Sequence, residues 1–300
     1  MTLIEARLKK KDDEGRLQWN DATKYSWIGD LGIATAVQDP IKNMPALDTI
    51  IDPLPVVISL SPFVLSADHI SLEDLAAGIY TVPANLPEAC QTLHNNVAGA
   101  KITLDDDNFP EFSKAIQRSC TTNGLWAFEK LKSKATEFGG PNETYLRITL
   151  GYNLGDSPGV PYVLEIWPSQ HYSPIHDHGN ACAVIKVLHG EITCTWYDTL
   201  DSPRAQVGSG KLHKGAITWI GDENYQIHKL ENHSSEVCCT IQCYRYDGQD
   251  NVHYDGFNWV DGHGSVEKFV PNSDMDFLDF KRLMREEWYS QTTNNRNGHV

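Results

Sequence analysis

The stretch Ser173-Pro-Ile-His-Asp-His-Gly-Asn-Ala-Cys182 sets two histidines, His176 and His178, either side of one residue. In extended backbone the side chains alternate, so both imidazoles point to the same face and can share a metal ion. The flanking runs give this pair its setting. Before it stands Tyr162-Val-Leu-Glu-Ile-Trp167. After it come Ala183-Val-Ile-Lys-Val-Leu188, Glu191-Ile-Thr-Cys-Thr-Trp-Tyr197, Ile217-Thr-Trp-Ile220 and a run from Val237 to Tyr246. These runs are short, divided by Gly, Asp, Ser and Asn turns, and not separated by helical patterns. That arrangement predicts an antiparallel sandwich or barrel.

Upstream the period changes. Leu86, Ala89, Cys90, Leu93 and Val97 recur at three and four, one apolar helical stripe. Phe112, Ala115 and Ile116 make a second, with Asn108 or the acidic run Asp105 to Asp107 as its cap. Trp126, Phe128 and Leu131 predict a third helix, and Phe277, Phe280 and Met284 a helix in the tail. The fold class expected is therefore mostly β, with helices before the strands. Residues 1–84, with Asp-Pro turns and one strand-like run from Val56 to Leu60, read as an N-terminal extension of unknown role. Residues 85–300 read as the main domain.

Composition narrows the function. A hydrophobic share of 40% and a charged share of 22% suit a soluble globular chain. The formal net charge of −15 repels phosphate backbones and anionic lipid, so no nucleic acid and no membrane are expected as partners. No signal-peptide pattern opens the chain, and Leu54 to Leu65 is too short to span a bilayer. The seven cysteines are odd in number and form no CxxC pair, a pattern of buried free thiols in a reducing compartment. A cytoplasmic location follows as an expectation.

A second half of the pattern follows the HxH pair: Gly190, Gly215, a strand, Gly221, and then His228-Lys-Leu-Glu-Asn232. Two glycine-bounded strand pairs, one with HxH and one with a later histidine, resemble the paired motifs of the cupin superfamily. The resemblance implies a jelly-roll-like antiparallel β-barrel with His176, His178 and His228 converging on one metal. Many cupins add a glutamate four or five residues after the second histidine; here those positions hold Cys182 and Ala183. Three neutral imidazoles would leave a divalent ion its full charge and open positions, which suits a thiolate.

From Asn85 to Gly264 the chain also resembles the cysteine dioxygenase family. Tyr145-Leu-Arg147 matches its Tyr-x-Arg element, Trp167 a tryptophan before the HDH, and Lys186-Val-Leu-His-Gly190 a strand end. His228 to Asn232 matches H-x-x-E-N, and Tyr244 a later tyrosine. The resemblance implies Fe(II) on the three histidines and, as partners, a small thiol, L-cysteine first, and dioxygen, both oxygen atoms ending on sulfur as a sulfinate. It implies Arg147 as partner of a substrate carboxylate, through the two-pronged geometry of guanidinium. Tyr145, Trp167 and Gln242 would line the substrate, and Tyr244 would donate a hydrogen bond to bound oxygen or sulfur.

Three departures stand out. The family's crosslinking cysteine aligns with Ala183, with Cys182 one position earlier, so a Cys182–Tyr244 thioether requires a side chain on the opposite face. Gln242 replaces a histidine and cannot carry a proton charge. The extension has no counterpart in compact family members. Other readings stay open: a thiol acid or thiol-imidazole amino acid as substrate, another cupin enzyme such as a ring-cleaving dioxygenase or isomerase, or a non-catalytic metal-binding cupin. Oxidation of a protein's N-terminal cysteine fits less well, because such a substrate lacks the carboxylate that Arg147 would hold. His171, His189, His213, His233 and His253 are read as ordinary loop or surface residues, and Asp177 as fixing a turn.

Overall fold

A computed structural model describes the backbone of residues 3–6, 9–11, 17–19, 23–28 and 33–37, then residues 60–66, 71–135, 140–151, 161–246 and 256–296, with side chains from 60 to 290. The run from Val56 to Leu60 lies, apart from its last residue, outside the described residues, as does His253.

The described backbone falls into two units. The first takes in Met1–Ser61 and Ser71–Tyr80. It holds the strands β1 (Leu3–Ala6), β2 (Lys9–Lys11), β3 (Leu17–Trp19), β4 (Thr23–Ile28) and β5 (Ile33–Val37) and the helix α1 (Leu72–Ala77). β4 pairs antiparallel with β1 and β5, and β2 with β3. Helix α1 opens on a capping box in which Ser71 Oγ accepts from Asp74 N at 3.0 Å and the Asp74 carboxylate accepts from Ser71 N at 3.1 Å.

The second unit takes in Pro62–Ile70 and Thr81–Val300. It begins with β6 (Phe63–Val64), two residues inside the segment read as extension that pair with the main sheet. Three helices follow: α2 (Glu88–Val97), α3 (Phe112–Thr121) and α4 (Trp126–Lys134). Each lies where an apolar stripe predicted it. The cap of α3 comes from Asp105, whose carboxylate accepts from Ser113 N at 2.7 Å and Ser113 Oγ at 3.0 Å. The strands are β7 (Leu146–Gly151), β8 (Tyr162–Trp167), β9 (Cys182–His189), β10 (Glu191–Tyr197), β11 (Gln206–His213), β12 (Ile217–Ile220), β13 (His228–Glu231), β14 (Cys238–Arg245), β15 (Phe257–Val260), β16 (Val266–Phe269) and β17 (Met275–Asp276). Helix α5 (Phe277–Arg296) ends the described chain. No helix among the described residues is long and apolar enough to cross a membrane.

Two sheets face each other. The larger has the order β17-β7-β8-β14-β9-β12-β6, antiparallel except for the pair β17–β7; the smaller has the order β11-β10-β13. Val163 and Trp167 of β8, Ala183, Ile185 and Val187 of β9, and Tyr244 of β14 meet Ile192, Cys194 and Trp196 of β10 and Leu230 of β13 in one core. Helix α2 covers the outer face of the large sheet, with the Cys90 thiol donating to Ile220 O at 3.1 Å. β8, β9 and β14 are thus buried on both faces, which explains their nearly unbroken apolar runs. The architecture is the mostly β, jelly-roll-like class that the sequence predicted, built as two facing sheets rather than one continuous ladder. All seven cysteines are buried free thiols.

One glycine of the motif has a clear physical cause. Gly190 turns β9 into β10 at φ +73°, and a Cβ there would lie 2.6 Å from Val237 O. Both the left-handed backbone and the close approach exclude other residues.

Candidate metal centre

The histidine pair sits beside a strand rather than on one. His176 lies in the connection between β8 and β9, bridging to His228 at the start of β13 and to Trp259 of β15. His176 N donates to His228 O at 3.1 Å and His228 N to His176 O at 3.1 Å, an antiparallel pair that puts the two side chains on one face. Asp177 fixes the turn that follows: its carboxylate accepts from Asn258 N at 2.9 Å, Asn258 Nδ2 at 2.7 Å and Gly179 N at 3.3 Å. That is the turn-fixing role expected of it.

The three imidazoles close into a cluster. Ring centroids are 4.8 Å apart for His176–His178, 4.9 Å for His176–His228 and 4.7 Å for His178–His228. One nitrogen of each lies within 4.8 Å of the others, and all three residues are buried. His176 Nδ1 lies 3.0 Å from Pro174 O, and His178 Nδ1 3.0 Å from Gln226 O. A carbonyl can only accept, so each Nδ1 carries the proton and each Nε2 keeps a free lone pair. Burial lowers the pKa of all three; for His178 and His228, held well below the ordinary value, the neighbouring imidazoles push the same way. The set is neutral at pH 7, as metal ligands must be.

The donor set fits a divalent metal ion. Among the described residues, both ring nitrogens of His228 are buried without a hydrogen-bond partner. An unpaired buried polar group is costly, and a metal ion is one partner that would satisfy it.

A second polar group lies beside the cluster. Arg147 on β7 and Glu165 on β8 are directly opposite in register, and Gln242 and Tyr244 follow on β14. Arg147 Nη1 donates to Glu165 Oε1 at 2.7 Å; Gln242 Nε2 donates to Glu165 Oε2; Tyr244 Oη donates to Gln242 Oε1 at 2.5 Å. The Arg147 guanidinium carbon also lies 5.3 Å from the Tyr244 ring centroid, and that ring stacks 6.1 Å from the His178 ring. The row therefore runs from β7, one strand in from the edge of the sheet, to the histidines. Burial pushes the Glu165 carboxyl up to about 7, against the opposing pull of Arg147, Lys134 and Gln242. Burial likewise raises the Tyr244 phenol, which keeps its proton.

Arg147, Gln242 and Tyr244 are thus brought together. Tyr145 and Trp167 form a separate pair, stacked at 4.4 Å, with Trp167 Nε1 donating to Thr240 Oγ1 at 3.1 Å. Cys182 requires a correction. The register sets Ala183 opposite Tyr244 and Cys182 opposite Arg245. Strand alternation turns the Cys182 thiol to the other face of the sheet, away from Tyr244, so the thioether has no geometric basis.

The sequence reading missed Glu165, whose signal was a lone carboxylate inside a buried apolar strand. It also missed Phe257, whose ring lies 5.1 Å from that of His178. Asn232, quoted only as part of a motif, is a scaffold residue: its Nδ2 donates to Trp167 O at 2.8 Å and Glu236 O at 2.8 Å, tying β13 to the end of β8. His171 likewise anchors a loop, its Nδ1 lying 2.8 Å from Thr144 O.

Residues 147–246, a third of the chain, match the family model for cysteine dioxygenase type I. That span holds the three histidines, Arg147, Glu165, Gln242 and Tyr244, and over it the resemblance to cysteine dioxygenases is shown. Solved structures give weaker likenesses. Oxalate oxidase in complex with the substrate analogue glycolate is 18% identical with a TM-score of 0.30, over 42% of this chain and 61% of that one. Oxalate decarboxylase from Bacillus subtilis is 15% identical with a TM-score of 0.24, over 29% of this chain and 21% of that one. The chain thus aligns with less than two thirds of the length of either. The span matched by the family model is the one that carries the three-histidine cluster.

Proposed function

We propose that this chain is an Fe(II)-dependent thiol dioxygenase that adds both atoms of O2 to the sulfur of a small thiol to give a sulfinate. The observation that carries the reading is the donor set: three buried, neutral imidazoles with no carboxylate among them. Such a set leaves the ion's charge uncompensated, and a thiolate is the soft anion that compensates it. His176, His178 and His228 would hold the iron, which would lower the thiol pKa and couple spin-restricted dioxygen to the sulfur, the atom that gives up the electrons dioxygen takes.

The protein's own part is position and exclusion of water. The backbone pairing of His176 with His228 fixes one edge of the cluster. Phe257 beside His178 and Phe269 beside His176 wall it with apolar rings at 5.1 and 6.2 Å. Tyr244 presents its ring to His178 and keeps its proton, handing it in a hydrogen bond to Gln242. A phenol so held stays uncharged and offers the site its ring and its oxygen lone pairs; it donates to an oxygen or sulfur beside it only when its one O–H turns from Gln242. L-cysteine is the substrate that the family resemblance suggests; a thiol acid or a thiol-imidazole amino acid is the alternative. The working place of such an enzyme is the reducing cytoplasm, in keeping with seven free buried thiols.

The test is oxygen uptake by Fe(II)-loaded protein against a panel of small thiols, with product mass recorded. A gain of two oxygens on a thiol is the expected result. No uptake with any thiol, from protein shown to hold iron, rejects the reading in favour of a non-catalytic metal-binding cupin.

A further inference from the structure

We propose that the substrate is a small thiol whose acyl group is neutral, an amide or ester rather than a free carboxylate, and that Glu165 is the residue that sets this preference. The inference rests on the thiol-dioxygenase reading above and names the substrate class for the same site.

Arg147 is the cation placed to receive a substrate carboxylate, and it is already occupied. Its Nη1 donates to Glu165 Oε1 at 2.7 Å, with the two side chains only 5% and 3% exposed. The carboxylate and the guanidinium sit opposite each other on β7 and β8, so the backbone register holds the pair together. Glu165 is held from its other side by Gln242, which in turn holds Tyr244. Glu165 cannot swing away without giving up its bonds from both Arg147 Nη1 and Gln242 Nε2. Above pH 7, where Glu165 has released its proton, a substrate carboxylate approaching Arg147 would therefore be a second buried anion beside the first. Two carboxylates that share one guanidinium in a dry site oppose each other's ionisation.

One N–H of Arg147 is left over. Its Nε is buried and has no hydrogen-bond partner among the described residues. A buried, unpaired N–H on a guanidinium already paired with a carboxylate calls for an acceptor oxygen without charge. The carbonyl of an amide or ester supplies that oxygen, and a carboxylate supplies it only together with a charge that Glu165 opposes. The position relative to the histidines is suitable, because Arg147 lies against Tyr244 and Tyr244 against His178. A short thiol on the metal ion would thus present its acyl group toward this end of the row. Glu165 acts through Arg147 and is a specificity-determining residue, distinct from the metal ligands.

The test separates this inference from the reading it rests on. Full-length protein loaded with Co(II) is titrated under argon with L-cysteine, L-cysteinamide and L-cysteine methyl ester, and the thiolate-to-cobalt charge-transfer band gives each Kd. L-cysteinamide and the ester are expected to bind about tenfold or more tightly than L-cysteine, and Glu165→Gln, which keeps the shape and removes the charge, is expected to improve L-cysteine by about tenfold and leave L-cysteinamide within about threefold. The Fe(II)-loaded protein should show the same order in kcat/KM for oxygen uptake, with the difference in KM. Wild-type protein that binds L-cysteine as tightly as, or more tightly than, its amide overturns the inference and leaves the thiol reading standing. Absence of a thiolate-to-cobalt band with every thiol tried overturns both. The wild-type comparison needs no variant, so it decides the matter even where Glu165→Gln folds poorly.

Discussion

The three histidines and the row from Arg147 to Tyr244 are neighbours, equally buried and equally polar, yet they satisfy their polar groups in opposite ways. Each member of the row has a partner within the row: a guanidinium on a carboxylate, a carboxylate on an amide, an amide on a phenol. The histidine cluster is open, with both ring nitrogens of His228 unpaired. The difference teaches where each gets its last partner. Apart from Arg147 Nε, the row is completed by the fold, so it should contribute to stability and to the selection of what enters. The cluster is completed from outside, so it should contribute to chemistry and have little bearing on whether the chain folds.

This contrast can be broken by experiment, and the largest effect belongs to the open cluster. On the proposed function His228→Ala removes a metal ligand outright, and since loss of a residue that merely supports a ligand weakens metal binding about 10- to 100-fold, loss of the ligand should exceed about 100-fold. Iron retained after gel filtration and oxygen uptake should both collapse, while the thermal transition of the metal-free protein stays near that of the metal-free wild type. A large drop in that transition would make the histidines a folding element and erase the contrast.

The closed row should behave the other way. Glu165→Leu strands the Arg147 charge in the core, and breaking a buried pair in this manner costs about 3–5 kcal/mol. Urea unfolding should show it. The double variant Arg147→Leu with Glu165→Leu should recover most of that loss, because it removes both charges together. A double variant as unstable as the single would mean that packing around the pair, rather than charge, holds this part of the sheet.

The smallest effect is one of pH. Burial raises the Glu165 pKa to about 7. A raised folded-state value means that the folded protein keeps a proton that the unfolded chain has released. The stability contribution is therefore complete below the ordinary carboxylate range and lost as pH rises through 7. Between about pH 6 and about pH 8 the loss should be about 1 kcal/mol, read as a falling melting temperature. Glu165→Gln should flatten that slope. An equal slope in the variant would assign the effect to the net negative charge of the chain instead.

The two regions also differ in how far the sequence exposed them. The histidines could be read because ligand chemistry is written in residue type and spacing: His176, His178 and His228 stand where the cluster needs them, and the apolar runs around them predicted β8, β9, β10, β12 and β14 closely. Arg147 and Tyr244 could be read too, as single residues. Their pairing could not, since it depends on β7 lying against β8 with Arg147 opposite Glu165, a register fixed only when both sheets close on their core. Glu165 looked like an interruption in Tyr162-Val-Leu-Glu-Ile-Trp167. In the sheet it shares a face with Val163 and Trp167, which turns the interruption into the row's central residue. β11 escaped notice for a related reason: it is an exposed edge strand with Gly208 and Gly210, so its pattern carries little apolar signal.

The ladder that joins His176 to His228 sets the spacing of two of the three candidate ligands through main-chain atoms alone. Side chains nearby can be exchanged without moving that edge. A lineage carrying this scaffold is thus free to drift in which small molecule it admits, by substitutions at positions such as 165 and 242, while the histidine cluster is inherited unchanged. Diversity of substrate and constancy of chemistry then have separate structural addresses, one in side chains and the other in backbone.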